Sequence, residues 1–335
     1  MQSLPLFPAL PERSALVGIA RLAAEGDSLR EGHDVEYFAL PAKSLLNRCV
    51  SRRDLPFDWT INPYRGCEFG CRYCYARYTH EFMEMRDGAE FEQKIYVKQH
   101  AADLLRQELR RVKPGEVIAL GTATDPYQPA ERRYEVTRAI LLEFARHRGF
   151  QLGIITKSNL VVRDIALLKE IACHNRLSVN LTITTMNVEL ARLLEPRAPR
   201  PDLRMDAVRE LSAAGLRVGV SCAPVLPGIT DSTENLDAVV SAAAAAGARH
   251  LWGGPLFLKP CSSAVFMPFV EKHFPGLAEN YRQRYKDSAF LPPAYGKRLS
   301  QLIRGLREKH GLAPDPRRAS LAAHTPVELS QLALF

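Results

Sequence analysis

The sequence predicts an α/β protein in which parallel strands alternate with helices. Six short, apolar, β-rich segments recur after Asp58, and helical patterns of about 10–15 residues separate them. Several of these helices end at a glycine, as at Gly149, Gly215 and Gly247, where a C-terminal cap needs a positive φ. Six such units predict a partial (β/α)6 TIM-like barrel with an N-terminal extension and a C-terminal tail.

The predicted elements divide the chain into three parts. We expect an N-terminal extension over residues 1–54, the barrel over residues 55–290, and a C-terminal helix and tail over residues 291–335. The predicted strands cover residues 59–62, 117–121, 152–156, 178–184, 217–222 and 250–253. The predicted helices cover residues 97–112, 135–146, 162–173, 187–194 with 205–214, and 233–246.

Length and composition indicate an ordinary globular protein. A chain of 335 residues, 46% hydrophobic and 24% charged, can bury a full core in one large domain or two. It has no uninterrupted apolar run of about 18 residues, and its N-terminus lacks the pattern of a secretory signal. We therefore expect a cytoplasmic protein with no membrane partner.

The net charge favours polyanionic partners. The formal charge is +8 and the sequence pI is about 9.2. Such a surplus of Lys and Arg attracts nucleic acid through long-range electrostatics. Lys and Arg also occupy the solvent-exposed faces of helices, so the charge by itself does not decide between nucleic-acid binding and ordinary solvated surface.

Three cysteines in one short segment carry the strongest chemical signal. Cys67, Cys71 and Cys74 have the spacing C-x3-C-x2-C. A four-iron cluster normally has one cysteine per iron, so three cysteines leave one iron open to a small molecule. Structural zinc is the alternative, and its fourth ligand would have to be His80, Cys49 or another distant residue. A disulfide framework is disfavoured, because seven cysteines are few for this length and odd in number.

The cysteine spacing, with Tyr73 just before the third cysteine, resembles the signature of the radical S-adenosylmethionine superfamily. Residues 61–66 and 75–80 are similar to the branch of spore photoproduct lyase and its uncharacterised bacterial relatives. The resemblance implies a [4Fe–4S] cluster on Cys67, Cys71 and Cys74 and S-adenosylmethionine on the open iron. It further implies cleavage to a 5'-deoxyadenosyl radical, with reduced ferredoxin or flavodoxin as electron donor.

Residues after the first two predicted strands are candidate S-adenosylmethionine contacts. The resemblance implies that Tyr73 lies beside the adenine, with ordinary loop packing as the alternative. Thr124 and Asp125 follow the second strand in a loop that two prolines make rigid. They offer acceptors for the methionyl ammonium, whereas bracing of a turn is the other role open to Asp125.

Residues after the third and fourth predicted strands extend this set. Lys157 and Ser158 follow the third strand, where a lysine ammonium can pair with a carboxylate. The resemblance implies that they contact a carboxylate and help to position S-adenosylmethionine; a surface salt bridge is the alternative for the lysine. Thr184 follows the fourth strand and is a candidate partner for a ribose hydroxyl.

The substrate is less well specified than the radical chemistry. Spore photoproduct lyase has a hydrogen-donating cysteine in the second-strand segment, and this chain has Thr122 there. The charge and the resemblance predict a nucleic acid substrate, for DNA repair or base modification. A protein or small-metabolite substrate is an alternative. A zinc-stabilised, non-catalytic nucleic-acid-binding module is another.

The last five residues resemble the peptide by which bacterial repair and replication proteins dock on the sliding DNA clamp. Leu332, Leu334 and Phe335 would fill a hydrophobic groove, and Gln331 would bond its rim. Residues 2–7 are a looser version of the same pattern. The alternative is that both ends fold back onto the barrel.

Overall fold

The computed structural model describes residues 16–26, 28–32, 35–50, 55–85 and 87–312. Residues 28–32 are described by their backbone alone. The clamp-like residues Gln331, Leu332, Leu334 and Phe335, and the looser version over residues 2–7, lie outside the described residues. Docking on a clamp therefore stays a prediction.

The described residues contain strands and helices that alternate over most of the chain. The strands are β1 Ser28–Gly32, β2 Val35–Leu40, β3 Leu46–Arg48, β4 Trp59–Ile61, β5 Tyr64–Arg65, β6 Lys94–Lys98, β7 Val117–Leu120, β8 Gln151–Thr156, β9 Arg176–Thr182, β10 Val218–Val225 and β11 His250–Pro255. The helices are α1 Gly18–Ala24, α2 Tyr78–Glu81, α3 Glu90–Gln93, α4 Ala101–Glu108, α5 Glu131–Tyr134, α6 Val136–Ala145, α7 Ile165–His174, α8 Val188–Leu194, α9 Pro201–Ala213, α10 Thr233–Ala245, α11 Pro260–His273, α12 Pro275–Arg284 and α13 Pro293–Lys309.

The larger sheet is the predicted partial barrel. Its strand order is β11-β10-β9-β8-β7-β4-β3, and every neighbouring pair from β4 to β11 is parallel. The short β3 pairs antiparallel with β4 at one edge. Because β3 and β11 form the two edges, the sheet curves without closing. All six predicted strands are confirmed, with bounds that differ by a few residues.

One predicted helix begins in the wrong place. The prediction started at Val97, whereas Val97 and Lys98 are the last residues of β6 and α4 begins at Ala101. β6 pairs parallel with β2 and antiparallel with β5. The partner strand β2 lies within residues 1–54, where no strand was predicted.

A smaller sheet leads into the cysteine segment. Its order is β1-β2-β6-β5, and β5 ends at Arg65, one residue before Gly66. Strands from the part of the chain before residue 55 therefore enter both sheets, β2 in the smaller and β3 in the larger.

The core lies between the strands of the larger sheet and the helices around it. Ile118 in β7, Val179 in β9 and Val220 in β10 are fully buried, and each such side chain contributes about 1.5–3 kcal/mol of burial free energy. α13 covers the edge strand β11, where a Cβ on Gly253 would come 2.5 Å from Ile303 Cδ1. Within the described ranges, no helix has the length and apolar character needed to cross a bilayer.

Candidate cofactor site at the cysteine loop

The cysteine loop, residues 66–74, follows β5 and is held at its first end by main-chain contacts. Cys67 N donates to Phe91 O at 2.9 Å. Gly66 has φ +82°, and a Cβ there would lie 2.7 Å from Lys94 O. Thr124 Oγ1 donates to Gly66 O at 2.5 Å. The start of the loop therefore needs a glycine and packs directly against the end of α3.

Glu68 fastens the loop to two other segments. Its Oε1 accepts from Ala130 N at 2.7 Å, and its Oε2 accepts from the Tyr37 hydroxyl at 2.8 Å. Its own backbone N–H donates to Gln128 Oε1 at 3.0 Å. Burial raises the pKa of Glu68, and the hydrogen bonds that its carboxylate accepts from Tyr37 and Ala130 oppose the rise. The loop is thus bonded to the segment after β7 and to the smaller sheet.

The middle and the second end of the loop contact the last residue of α8 and the segment that follows it. Arg72 N donates to Leu194 O at 2.9 Å, and Arg197 N donates to Phe69 O at 3.3 Å. These contacts join the loop after the first barrel strand to the segment after the fourth.

Gly70 lies in a tight space formed by charged side chains. It has φ +63°, and a Cβ would come 2.1 Å from Glu92 Oε2. That oxygen accepts from Arg197 Nη2 at 2.8 Å. Arg77 lies 3.7 Å from the other Glu92 oxygen and donates to Cys71 O at 3.1 Å. The loop therefore packs against an ion-pair network that also bonds its backbone.

The three thiols lie on one short loop that is largely buried. Cys67 and Cys71 are buried and Cys74 is half-buried. Burial raises the pKa of Cys71 to about 12, and Lys157 opposes the rise. Burial also raises the pKa of Cys74, and Arg77 opposes it. The thiols are therefore protonated when free at neutral pH, and metal binding would release their protons.

The donor set of the loop consists of three cysteine thiols. Among the described residues, no three His, Cys, Asp or Glu side chains are arranged to hold one metal ion. A four-iron cluster does not need such convergence, because each cysteine binds a different iron. Three thiols on one braced loop, with cationic side chains nearby, fit a cluster of this kind.

A buried ion pair lies beneath the loop. The Tyr73 hydroxyl donates to Glu195 Oε1, and Thr184 Oγ1 lies 3.4 Å from the same oxygen. Glu195 Oε2 lies 2.5 Å from Arg204 Nη1, although without hydrogen-bond alignment. Arg204 also donates to the Thr182 carbonyl at 3.0 Å. We call Tyr73, Lys157, Thr184, Glu195 and Arg204 the Glu195 cluster.

Charges in the cluster keep Glu195 ionised. Burial by itself raises the pKa of this carboxyl, but Arg204 and Lys157 outweigh burial, so the pKa falls below its usual value. Burial likewise lowers the pKa of Lys157, but Cys71 and Glu195 outweigh it and the pKa rises. Lys157 Nζ lies 5.7 Å from the centroid of the Tyr73 ring. A charged ammonium therefore stands beside the cysteine loop.

Asp125 joins the ends of two strands. Its Oδ1 accepts from Thr156 Oγ1 at 2.6 Å and from Tyr127 N at 2.9 Å, and its Oδ2 accepts from Lys157 N at 2.7 Å. A carboxylate has about four acceptor positions. Three are used within the chain, which leaves one for an incoming donor.

Two predicted contact residues have hydroxyls that already bond within the chain. Ser158 caps the 3-10 helix Asn159–Asp164, where its Oγ accepts from Leu160 N at 3.2 Å. Thr124 is bonded to Gly66, as described above, and accepts from Gln128 Nε2 at 2.9 Å. The structure therefore brings Tyr73, Lys157 and Thr184 together, and gives Ser158 and Thr124 local structural contacts.

Sequence reasoning missed Glu195 and Arg204. Glu195 is the C-cap residue of α8, where the negative end of the helix dipole disfavours a carboxylate. An acidic residue in that position of an apolar helix was a usable signal. Arg204 gave no comparable signal, since arginines are common in exposed helices.

Comparisons with known proteins define the class of this chain. The sequence profile of the Radical SAM superfamily matches residues 61–239, which contain the cysteine loop, β7 to β10 and the Glu195 cluster. The chain belongs to the radical SAM superfamily. Members of this superfamily use a [4Fe–4S] cluster and S-adenosylmethionine, and the predicted resemblance is confirmed.

Relatives with similar sequences are uncharacterised. A protein of Mycobacterium tuberculosis is 39% identical over 298 residues, which are 88% of this chain and 87% of that protein. A protein of Methanocaldococcus jannaschii is 30% identical over 173 residues, which are 52% of this chain and 62% of that protein.

Solved structures with the same fold include spore photoproduct lyase. Its complex with a dinucleoside spore photoproduct has a TM-score of 0.62 and 15% identity, and the match covers 83% of this chain and 80% of that one. Streptococcus suis SuiB bound to the precursor peptide SuiA has a TM-score of 0.51 and 13% identity, over 81% of this chain and 52% of that one. At these identities the likeness shows the fold alone, and it confirms the partial barrel.

Proposed function

We propose that this chain is an enzyme whose [4Fe–4S] cluster is held by Cys67, Cys71 and Cys74. The observation that carries the proposal is a braced loop with three cysteines, two buried and one half-buried, inside the matched superfamily region. When bound, the cluster and S-adenosylmethionine supply a 5'-deoxyadenosyl radical that abstracts hydrogen from the substrate.

The residues around the loop position S-adenosylmethionine. Lys157 pairs its ammonium with the methionyl carboxylate, and the remaining acceptor position of Asp125 receives the methionyl ammonium. Tyr73 packs beside the adenine, and Thr184 bonds a ribose hydroxyl. Ser158 and Thr124 complete this group; both are buried beside it.

The electron donor is a reduced ferredoxin or flavodoxin, and the chain works in the cytoplasm. A reducing compartment suits three free thiols that must bind iron. The buried loop shields the reacting group from solvent, since Cys67, Cys71 and Tyr73 each expose less than a tenth of their surface.

The substrate is a nucleic acid, in DNA repair or base modification. The charge of +8 supports this choice. A neighbour in fold, spore photoproduct lyase, has been solved with a dinucleoside spore photoproduct. A base reaches a buried reaction centre when it leaves its stack, at a cost of a few kcal/mol.

Anaerobic reconstitution with iron and sulfide tests the proposal. The expected product is a brown protein with about four irons per chain, a [4Fe–4S] EPR signal after reduction, and release of 5'-deoxyadenosine from S-adenosylmethionine. Cys71→Ser should lose the signal and the turnover. Cys173→Ser, at an exposed cysteine on α7, should keep both.

Two outcomes would contradict the proposal. A colourless protein with stoichiometric zinc would favour a non-catalytic nucleic-acid-binding module. Undiminished iron and turnover in Cys71→Ser would remove the cysteine loop from the chemistry.

A further inference from the structure

A continuous row of aromatic rings lies beside the cysteine loop. Successive centroids are 5.8, 6.5, 6.4 and 4.3 Å apart. We call this row the aromatic strip; in order, its residues are Phe82, Tyr78, Tyr75, Phe257 and Phe290.

The strip joins the two sides of the open sheet. Tyr75 directly follows Cys74, and Phe257 follows the edge strand β11. Ser262 Oγ donates to Cys74 O at 2.9 Å, which ties the same two segments together. Since reactive groups in such barrels lie at the carboxyl ends of the strands, the strip borders the side from which a substrate enters.

Two rings of the strip are presented to solvent. Phe82 exposes 61% of its surface and Tyr75 exposes 40%. Tyr78, Phe257 and Phe290 are half-buried and support them. Exposed rings in one row beside the cysteine loop indicate a surface that a partner covers.

A cation accompanies the rings. Lys259 Nζ lies 3.8 Å from the centroid of the Tyr78 ring and 6.0 Å from that of Phe257. Aromatic rings with an interleaved cation are the combination on which single-stranded nucleic acids bind, because every base has a face that can stack and every nucleotide has a phosphate. A groove for a purely apolar peptide would not require the Lys259 ammonium beside its rings.

We propose that the aromatic strip binds single-stranded nucleic acid. Bases stack on Phe82 and Tyr75, and Lys259 faces the backbone phosphates. This proposal specifies the substrate class of the proposed function. Binding of nucleic acid by the strip does not depend on that function; only the catalytic consequence of binding rests on it. It directs a base toward Cys74 and the reacting group.

Binding of labelled oligonucleotides to the reconstituted full chain tests the strip. Anisotropy is measured with single-stranded DNA, single-stranded RNA and the matching duplex at several salt concentrations. We expect tighter binding of a single strand than of the duplex. Phe82→Ala and Phe82→Leu should each weaken binding about tenfold, whereas Phe82→Trp should retain it.

Two control pairs separate stacking and charge from general effects. Leu203→Ala removes a side chain on α9 that is 39% exposed and should leave affinity unchanged. Lys259→Ala should reduce the dependence of log K on log salt by about one unit, and Lys272→Ala, at an exposed lysine on α11, should not.

The proposal that the aromatic strip binds nucleic acid is refuted if the wild-type chain shows no salt-sensitive affinity for single-stranded DNA or single-stranded RNA. Wild-type affinity in Phe82→Leu would also overturn it, because an apolar contact, as for a peptide, would then suffice. 5'-Deoxyadenosine release by the wild-type chain is measured in parallel. If the wild-type chain releases no 5'-deoxyadenosine but still binds single strands, the proposed function is contradicted and the proposal for the aromatic strip is not.

Discussion

The two sides of the cysteine loop differ in how their side chains are used. On one side, Glu195 and Arg204 have side chains exposed by 0% and 2%, and they contact other polar groups of the chain. On the other side, Phe82 is 61% exposed and meets the Tyr78 ring edge-on. The first side is a scaffold that holds its own geometry, and the second is a surface available to another molecule.

This difference predicts where substitutions act. A change in the buried side leaves a charge or a hydrogen-bonding group without its partner, so it should reduce the free energy of unfolding. A change in the aromatic strip should alter binding and leave stability nearly unchanged. The predictions below run from the largest expected effect to the smallest.

Glu195→Gln should have the largest effect on stability. It removes the negative charge beside Arg204 and leaves that guanidinium buried without compensation, at a cost of roughly 3–5 kcal/mol. Urea unfolding at pH 7 measures the loss. Glu210→Gln, at an exposed position on α9, is the matched control and should cost less than about 0.5 kcal/mol. If Glu195→Gln loses no more free energy of unfolding than Glu210→Gln, the ion pair does not stabilise the fold.

The difference in unfolding free energy between wild type and Glu195→Gln should depend on pH. Because the folded-state pKa of Glu195 lies below its usual value of 4.5, its contribution is complete above about pH 4.5 and is lost as the pH falls through the folded-state pKa. The gap between wild type and Glu195→Gln should therefore narrow on acidification below about pH 4.5. A constant gap down to about pH 3 would show that ionisation of Glu195 does not stabilise the fold.

Thr124→Val should have an intermediate effect. It removes the donor to Gly66 O and the acceptor of Gln128 Nε2, which should cost about 1–3 kcal/mol and speed the loss of iron to a chelator. Thr124→Ser keeps the hydroxyl and should restore most of the stability. A loss in Thr124→Ser as large as that in Thr124→Val would contradict the role of the hydroxyl, because serine keeps this group and valine does not.

Deletion of residues 331–335 should have the smallest effect on the enzyme. We expect no change in unfolding or in 5'-deoxyadenosine release, because the peptide is predicted to serve a partner. Affinity for a purified sliding clamp should fall to background. Replacement of Leu334 and Phe335 by alanine should reproduce that loss, and unchanged affinity in both variants would eliminate clamp docking.

Much of the fold could be predicted because its signals are local. The six strands of the larger sheet are apolar runs between helical patterns, and the glycines that end the helices lie next to them in the sequence. The start of the helix after β6 was wrong because Val97 lies in β6, and the partner strand β2 falls in the N-terminal extension, where no strand was predicted.

The candidate site could be predicted in outline for a similar reason. Lys157 and Thr184 follow strands whose carboxyl ends meet, so their proximity to the cysteine loop follows from the parallel sheet. Glu195 was not selected, since its contact with Tyr73 spans 122 residues of chain. The hydroxyl of Ser158 caps the following 3-10 helix, a local use that strand position alone does not distinguish from cofactor binding.

The contacts between the cysteine loop and the residues after α8 set an order of assembly. The backbone N–H of Arg72 donates to the carbonyl of Leu194, and the carbonyl of Phe69 accepts from the N–H of Arg197. During synthesis, a nascent chain that has emerged only as far as α7 already has all three thiols but lacks these supports. The cysteine loop therefore gains these contacts only after more than half of the protein has left the ribosome. A short excised peptide with the same spacing would have none of this bracing.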